Sequence, residues 1–429
     1  MTVTGAAALA LASLLLGAGE LRVDSGVRIE GLARQFSPEH GRDDRALDGV
    51  VAPRAGLDWR AAPELRLWAT YVPRLRAPDL TRSVDLVVLH TGVLRAEIRP
   101  DPAWRLAARA GGERGTTDLV TESRATGVEL QTITTLRRLR YRAARADVEL
   151  ERLPGRRAQA QRLAGEGLLQ ALHLAIHPPV LPDLRLAFGA FVDGGEGAAA
   201  EALLPLERGV RAEATAGWSV TRLDRVGFRL AAVGTRIERG MTSAIATADA
   251  LWRRRLTREL DGWAGAGAAG VHEDPPGGTA STRAFPSAEL GLARLPSAGA
   301  GVEDAEASAG RPSFLSAVAT LAVLRLAPAV DRATGEANPE LEGTLSAGWL
   351  ATPRWSLSLA GMGAVVRDGG ENTRRWRIEA RTSWTPVPTV QLSVGVYGLR
   401  QRTPMPDVPS FDEWGAFLAL ELDPPSWSP

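Results

Sequence analysis

The residues of this 429-residue chain that could do covalent or metal chemistry are few. The five histidines are His40, His90, His173, His177 and His272. His173 and His177 have the i, i+4 spacing of a helical metal pair, but on a strand they stand ~13 Å apart and cannot share an ion. Two solvated or interfacial histidines are the competing reading. A Ser–His–Asn hydrolytic site needs an asparagine, and the candidates are Asn338 and Asn372, both in loop-like sequence. An Asp–His pairing would have to come from His90, read as lying near a channel mouth, or from loop residues, and no spacing supports it. Gly265–Gly270 lacks the lysine of a phosphate-cradling loop. Cysteine is absent, which removes thiol chemistry, Cys-based zinc sites, disulfides and a lipobox. The expectation is no catalytic site, no metal and no cofactor.

A second set of charged residues is more informative, because its members recur at every second position. It comprises Arg66, Arg95, Glu97, Arg99, Arg105, Arg109, Arg145, Asp147, Glu149, Arg185, Arg211, Glu213, Arg229, Arg377, Glu379 and Arg381. Period two belongs to a β-strand, whose successive side chains point to opposite faces. In Arg375–Thr385, Trp376, Ile378, Ala380, Thr382 and Trp384 oppose Arg375, Arg377, Glu379, Arg381 and Ser383. In Arg211–Val220, Ala212, Ala214, Ala216, Trp218 and Val220 oppose Arg211, Glu213, Thr215, Gly217 and Ser219. Similar alternation runs through Glu64–Tyr71, Trp104–Ala110, Arg145–Glu151, Asp183–Val192, Arg225–Leu230, Ser356–Met362 and Gln391–Val396.

Alternation also fits a soluble sandwich, and three features favour a membrane barrel. Many segments run roughly 9–14 residues, the length of a tilted membrane strand rather than a soluble one. Connections alternate in kind: short turns at Pro100–Pro102, Pro178–Asp183, Arg222–Arg225, Thr352–Arg354 and Pro386–Pro388 interleave with longer stretches. Those stretches are Gly111–Thr126, Asp193–Arg208, Gly270–Ala284, Pro328–Pro339, Arg367–Thr373 and Arg402–Glu413. Short periplasmic turns and longer extracellular loops are the asymmetry of an outer-membrane barrel. Third, Trp59, Trp104, Trp218, Trp349, Trp355 and Trp384 all lie near short turns, as an aromatic girdle at the periplasmic interface requires.

The fold expectation is therefore all-β: a single transmembrane antiparallel up-and-down barrel of about 18 strands, with a range of about 16–20. Counting from Glu64 to Leu422 reaches about 18, and Val27–Phe36 with Val51–Arg60 could add a first pair. Ser297–Gly310, Gly/Ala-rich, falls where the count wants a short turn: either the count fails there or one long periplasmic excursion exists. Residues 1–19 read as a signal peptide, since Thr4–Leu16 is apolar and Gly17–Gly19 are small, although Met1–Thr4 carries no basic residue. Residues 20–55 read as an N-terminal segment, periplasmic or a first strand, and 56–429 as the barrel. No plug-sized domain precedes Gly56, which argues against an energised receptor.

All 51 basic residues are Arg, a usage that follows from GC-rich coding and is not itself a binding signal. The net charge is +1 and no long block of one sign occurs, so no nucleic-acid partner is expected. Expected partners are outer-membrane lipid and lipopolysaccharide, the barrel-assembly machinery and periplasmic polysaccharide-export components.

Taken over nearly the whole chain after residue 19, the sequence resembles Gram-negative outer-membrane β-barrels of the porin type. The resemblance rests on Trp376–Trp384, on the turns Thr352–Arg354 and Thr385–Pro388, and on the final strand Trp414–Leu422. In that superfamily the last strand usually ends the chain in an aromatic residue, whereas here Leu422 is followed by Asp423–Pro429. Leu67–Leu75 with Leu86–Arg99 is similar to barrels associated with exopolysaccharide export, which implies a conduit for a secreted polymer.

With the apolar set towards lipid, the Arg and acidic set lines the lumen, because a charge on the lipid face costs about 2–4 kcal/mol at the midplane. A barrel of this size is wide enough for water, and such charges can set selectivity or pair and stiffen the wall. Three functions follow: a channel or export conduit for solutes or polymer, a structural or partner-docking barrel with a plugged lumen, and an outer-membrane enzyme.

Overall fold

The computed structural model describes residues 20–427, apart from 40–42, 79, 81–85, 102–103, 125–131, 153–182, 239, 258, 295–317, 331–334, 353, 369–370 and 404–409. Eighteen strands follow one another around a single antiparallel sheet. They are β1 (Glu20–Pro38), β2 (Asp44–Ala62), β3 (Leu65–Ala77), β4 (Val87–Asp101), β5 (Trp104–Arg124), β6 (Thr132–Arg152), β7 (Asp183–Gly195), β8 (Glu207–Ser219) and β9 (Asp224–Ile237). The rest are β10 (Thr242–Arg255), β11 (Leu260–Asp274), β12 (Ser281–Arg294), β13 (Val318–Val330), β14 (Ala337–Thr352), β15 (Trp355–Asp368), β16 (Glu371–Val387), β17 (Val390–Arg402) and β18 (Phe411–Leu422). One short helix, α1 (Ala198–Leu203), is described between β7 and β8.

β1 pairs with β2 on one side and with β18 on the other, from Val27↔Leu422 to Pro38↔Phe411. The sheet is therefore a closed barrel in which every strand has a hydrogen-bonded neighbour on each side, as a sheet in lipid requires. Beyond β18 the chain continues along β1, and Trp427 exchanges two backbone hydrogen bonds with Val23, at 2.8 and 3.0 Å.

Two ends differ in their connections. At one end, short turns join β2 to β3, β4 to β5, β8 to β9, β10 to β11, β14 to β15 and β16 to β17. Threonine hydroxyls stabilise several of these turns: Thr221 Oγ1 accepts from the amides of Leu223 and Asp224, and Thr257 Oγ1 from those of Glu259 and Leu260. Residues 153–182 and 295–317 also connect strands at this end. Ser297–Gly310 falls within the second connection, and the expected turn at Pro178–Asp183 falls, except for Asp183, within the first; both lie outside the described residues. At the other end, the β11–β12 connection turns at Gly277, whose φ of 74° suits a residue without a Cβ.

The sequence-based count changes in its particulars. Between Leu65 and Leu422 there are sixteen described strands (β3 to β18), not eighteen, and residues 20–62 supply the remaining pair, β1 and β2. The expected loop at Gly111–Thr126 is strand as far as Arg124, and that at Gly270–Ala284 shrinks to the residues between Asp274 and Ser281. Gly and Ala carry no period-two signal, while their backbone groups complete the hydrogen-bonded ladder as well as any residue's.

Candidate functional site

The register fixes which side chains share a face. Starting from Arg66↔Glu97 and passing through Arg95↔Arg109, Arg109↔Asp147, Asp147↔Gly189 and Gly189↔Arg211, one face is continuously polar. This face is concave, because ion pairs on it skip a strand. Arg211 on β8 reaches Asp147 on β6 at 2.7 Å, and Arg375 on β16 reaches Glu340 on β14 at 2.5 Å. Arg229 on β9 bonds Asp249 on β10 at 2.8 Å and Glu289 on β12, three strands away, at 2.9 Å. Side chains converge in this way only inside a curved sheet.

Glycines make these crossings possible. Gly189 lies beneath the Asp147–Arg211 pair, Gly267 beneath the Ser287–Asp249 hydrogen bond, and Gly26 beneath Arg54–Asp423. In each case a Cβ would strike the bridging carboxylate. Four aromatic rings on the inner face lie flat over glycines of the neighbouring strand: Phe191 over Gly209, Trp263 over Gly291, Tyr397 over Gly415 and Phe417 over Gly395. Ring over glycine restores the apolar contact a bare strand lacks and keeps the ring against the wall.

Of the fifteen charged residues singled out as lumen-lining, fourteen occupy this inner face by register, together with Asp147, and Arg99, at the irregularity after Ile98, reaches it through its ion pair with Glu97. Most meet a partner there. Glu97 receives Arg99 at 2.6 Å and Arg105 at 3.2 Å, and Arg105 also reaches Glu151 at 3.2 Å. Arg145 bonds Asp147 at 2.7 Å, Arg185 bonds Glu149 at 2.6 Å and Arg377 bonds Glu379 at 3.2 Å. Arg66 pairs with Asp58, and Arg381 donates to the hydroxyls of Ser383 and Ser393. Glu213 stands between Ala187 and Ala231. Arg95 and Arg109 face each other in register, and neither has a carboxylate partner among the described residues. Arg95 instead lies 5.4 Å from the Trp68 ring, which Arg66 also covers at 4.5 Å.

Other inner-face groups escaped the sequence reading. Asp48 is fully buried between Arg34 and Arg76, on three adjacent strands. Trp263 donates its indole N–H to Glu289 at 2.7 Å, and Tyr397 its hydroxyl to Glu413 at 2.6 Å. Their parity was readable, but their partners depend on a register that no single strand encodes.

Trp59, Trp104, Trp218, Trp349, Trp355 and Trp384 lie on the opposite, outer face, near the short-turn end of their strands. That face also carries Ile29, Leu94, Phe188, Leu290, Leu357 and Leu418, all exposed. His90 is on this face too, which corrects its expected place near the channel mouth: it stacks on Tyr71 at 6.0 Å, with the hydroxyl 2.6 Å from Nδ1. His272 contacts Thr282, and His40, His173 and His177 lie outside the described residues. Among the described residues no group of three or more His, Asp or Glu is placed to hold a metal ion.

At the mouth opposite the short turns, α1 folds over the inner side of the rim, where a Cβ on Gly195 would meet the Ala200 backbone. Arg114 ties down the start of this connection, donating to Glu196 at 2.5 and 3.1 Å. The Arg114 guanidinium holds the Glu196 carboxyl below its usual range.

A closed, outwardly apolar barrel with charges turned inward defines a transmembrane β-barrel of the bacterial outer membrane. The model of the EpsX exopolysaccharide export family matches residues 183–423, more than half of the chain, and the protein belongs to that family. Leu67–Leu75 and Leu86–Arg99, which suggested an export barrel, lie outside the matched residues. No curated protein matches the sequence. Among solved structures, the chain is similar to OccK2 (OpdF) of Pseudomonas aeruginosa, with TM-score 0.47, 10% identity, and coverage of 94% of this chain and 98% of that one. It is also similar to OpdK of Pseudomonas aeruginosa solved with vanillate, with TM-score 0.46, 11% identity, and coverage of 95% and 99%. OpdO of the same organism gives TM-score 0.47 and 11% identity, with coverage of 94% and 97%.

Proposed function

We propose that this protein is a conduit through which an exopolysaccharide crosses the outer membrane. The observation that carries the reading is the family match over residues 183–423, falling on a closed barrel whose inner wall is polar and charged. Barrels of 16–18 strands leave an aqueous channel. The inner wall suits a hydrated, hydroxyl-rich chain: near Tyr397 and Phe417, the side chains of Arg28, Arg74, Glu379 and Glu413 line a recess of about 520 Å³. Paired guanidinium and carboxylate groups offer donors and acceptors without a strong field of either sign.

Short turns mark the periplasmic end. The connections at residues 153–182 and 295–317 join strands on that side and supply the chain length to meet periplasmic export components. Insertion is assigned to the barrel-assembly machinery, and Trp59, Trp104, Trp218, Trp349, Trp355 and Trp384 to the periplasmic girdle.

The test is single-channel recording of the refolded protein in planar bilayers, paired with polymer export by a strain lacking the gene. Stable conductance steps and cell-associated polymer retained inside the deletion strain are expected. A correctly inserted barrel that never conducts, in a strain exporting polymer normally, would overturn the reading.

A further inference from the structure

The outer face is apolar through most of its height, but at the end opposite the short turns it becomes basic over β15 to β18. Val365↔Arg374, Arg367↔Asn372, Arg374↔Arg402, Trp376↔Arg400 and Arg400↔Asp412 place Arg367, Arg374, Arg400 and Arg402 together on that face. Among the described residues, Asp412 is the one carboxylate bonded there: it receives Arg400 at 2.6 Å and Arg402 at 2.7 Å. Among the described residues Arg367 and Arg374 have no carboxylate partner, and both are exposed. Arg374 stands directly opposite Arg402, a like-charge cross-strand pair that is destabilising, and among the described residues only Arg402 of the two is bonded to a carboxylate.

Immediately below this cluster is an interfacial aromatic pair. The Trp376 and Trp414 rings meet edge to face at 5.6 Å on the outer face, and the Arg400 guanidinium lies 5.6 Å from the Trp376 centroid. Indoles of this kind mark the level where acyl chains give way to headgroups. The guanidiniums thus stand at headgroup height, facing membrane and not lumen, on the side that short-turn topology assigns to the external leaflet. Planar guanidiniums suit phosphate oxygens, binding them in pairs, and clustered basic residues at a membrane surface recognise anionic headgroups.

We propose that Arg367, Arg374, Arg400 and Arg402 form a binding site for the phosphorylated headgroup of an outer-leaflet lipid, whose phosphate supplies a counter-anion to Arg367 and Arg374. This inference rests on the barrel and its outer-membrane placement and is independent of what passes through the lumen.

The test is native mass spectrometry of the refolded full chain in detergent, offered bisphosphorylated lipid A or the same lipid A with both phosphates removed. The wild type is expected to retain the phosphorylated lipid at least tenfold more than the dephosphorylated one. Arg367→Gln/Arg374→Gln/Arg402→Gln should abolish that preference, and the corresponding triple Lys variant should recover part of it. Heat-modifiable gel migration and unchanged channel conductance report that the Gln variant is folded. Equal retention of the two lipids by wild type overturns the proposal without recourse to any variant. An undiminished preference in the folded Gln variant also overturns it, and displacement of the lipid by millimolar inorganic phosphate would show a free-phosphate site instead.

Discussion

Arg211 on β8 donates to Asp147 on β6 at 2.7 Å, passing directly over Gly189 of the strand between them. The contact belongs to a closed sheet: curvature brings second-neighbour strands within side-chain reach, and a glycine clears the path. It is also the chemistry of the inner wall in miniature, since Asp147 is shared by Arg145 and Arg211 and abuts Arg109 in register.

Gly189→Ala should therefore cost the barrel about 1 kcal/mol, the worth of an exposed ion pair, by forcing Asp147 aside. Gly348→Ala, on the same inner face but with nothing within 4 Å of an added Cβ, should be neutral. The comparison is read from urea unfolding of each variant in lipid vesicles.

A larger effect is expected where one arginine serves two carboxylates. Arg229 bonds Asp249 and Glu289, whose side chains are 4% and 15% exposed. Arg229→Met leaves both acids without their shared cation, and breaking such a buried arrangement costs about 3 kcal/mol. Trp263, which donates to Glu289, provides a local fluorescence signal for the loosening.

Ion selectivity should depend on the arginines that no carboxylate neutralises. Replacing Arg95 and Arg109 with Gln removes two cationic groups from the lumen without breaking an ion pair among the described residues. The reversal potential in a salt gradient should shift towards cation preference, with single-channel conductance still present. Unchanged selectivity would show that the charge filter lies elsewhere.

The mouth should respond to acid. The folded-state pKa of Glu196 is lowered from 4.5 by its bonds from Arg114, so the tie is fully present above that value and is lost as pH falls through the depressed one. As pH falls below the usual carboxylate range, the α1 connection should become more sensitive to an acid-active protease. Glu196→Gln should show raised sensitivity already at pH 7, read with a protease active at neutral pH.

Much of this was readable from residue order alone. Strands such as Arg375–Thr385 declare their two faces because large apolar and charged residues alternate, and the tryptophans declare the short-turn end. β11 hid its middle, Gly265–Gly270, because small residues occupy both faces. β1 and β2 read as optional because Gly31, Gly49 and Gly56 dilute the alternation. Faces were legible by parity, as with Arg66 and Glu97. Partners were not: that Asp249 would meet Ser287 across Gly267, or that Asp48 would sit between Arg34 and Arg76, depends on the register of three strands at once.

The seam between β1 and β18 has a temporal consequence. Val27 cannot find Leu422 until nearly every other strand has been made and delivered across the inner membrane. Until then the nascent sheet has two raw edges, each a template for any passing strand, and an apolar face in water. Closure thus sets a clock: the longest-range contacts form last and slowly. Variants that weaken the seam should therefore first reveal themselves as low abundance in the cell, before any loss of conductance by the molecules that do mature.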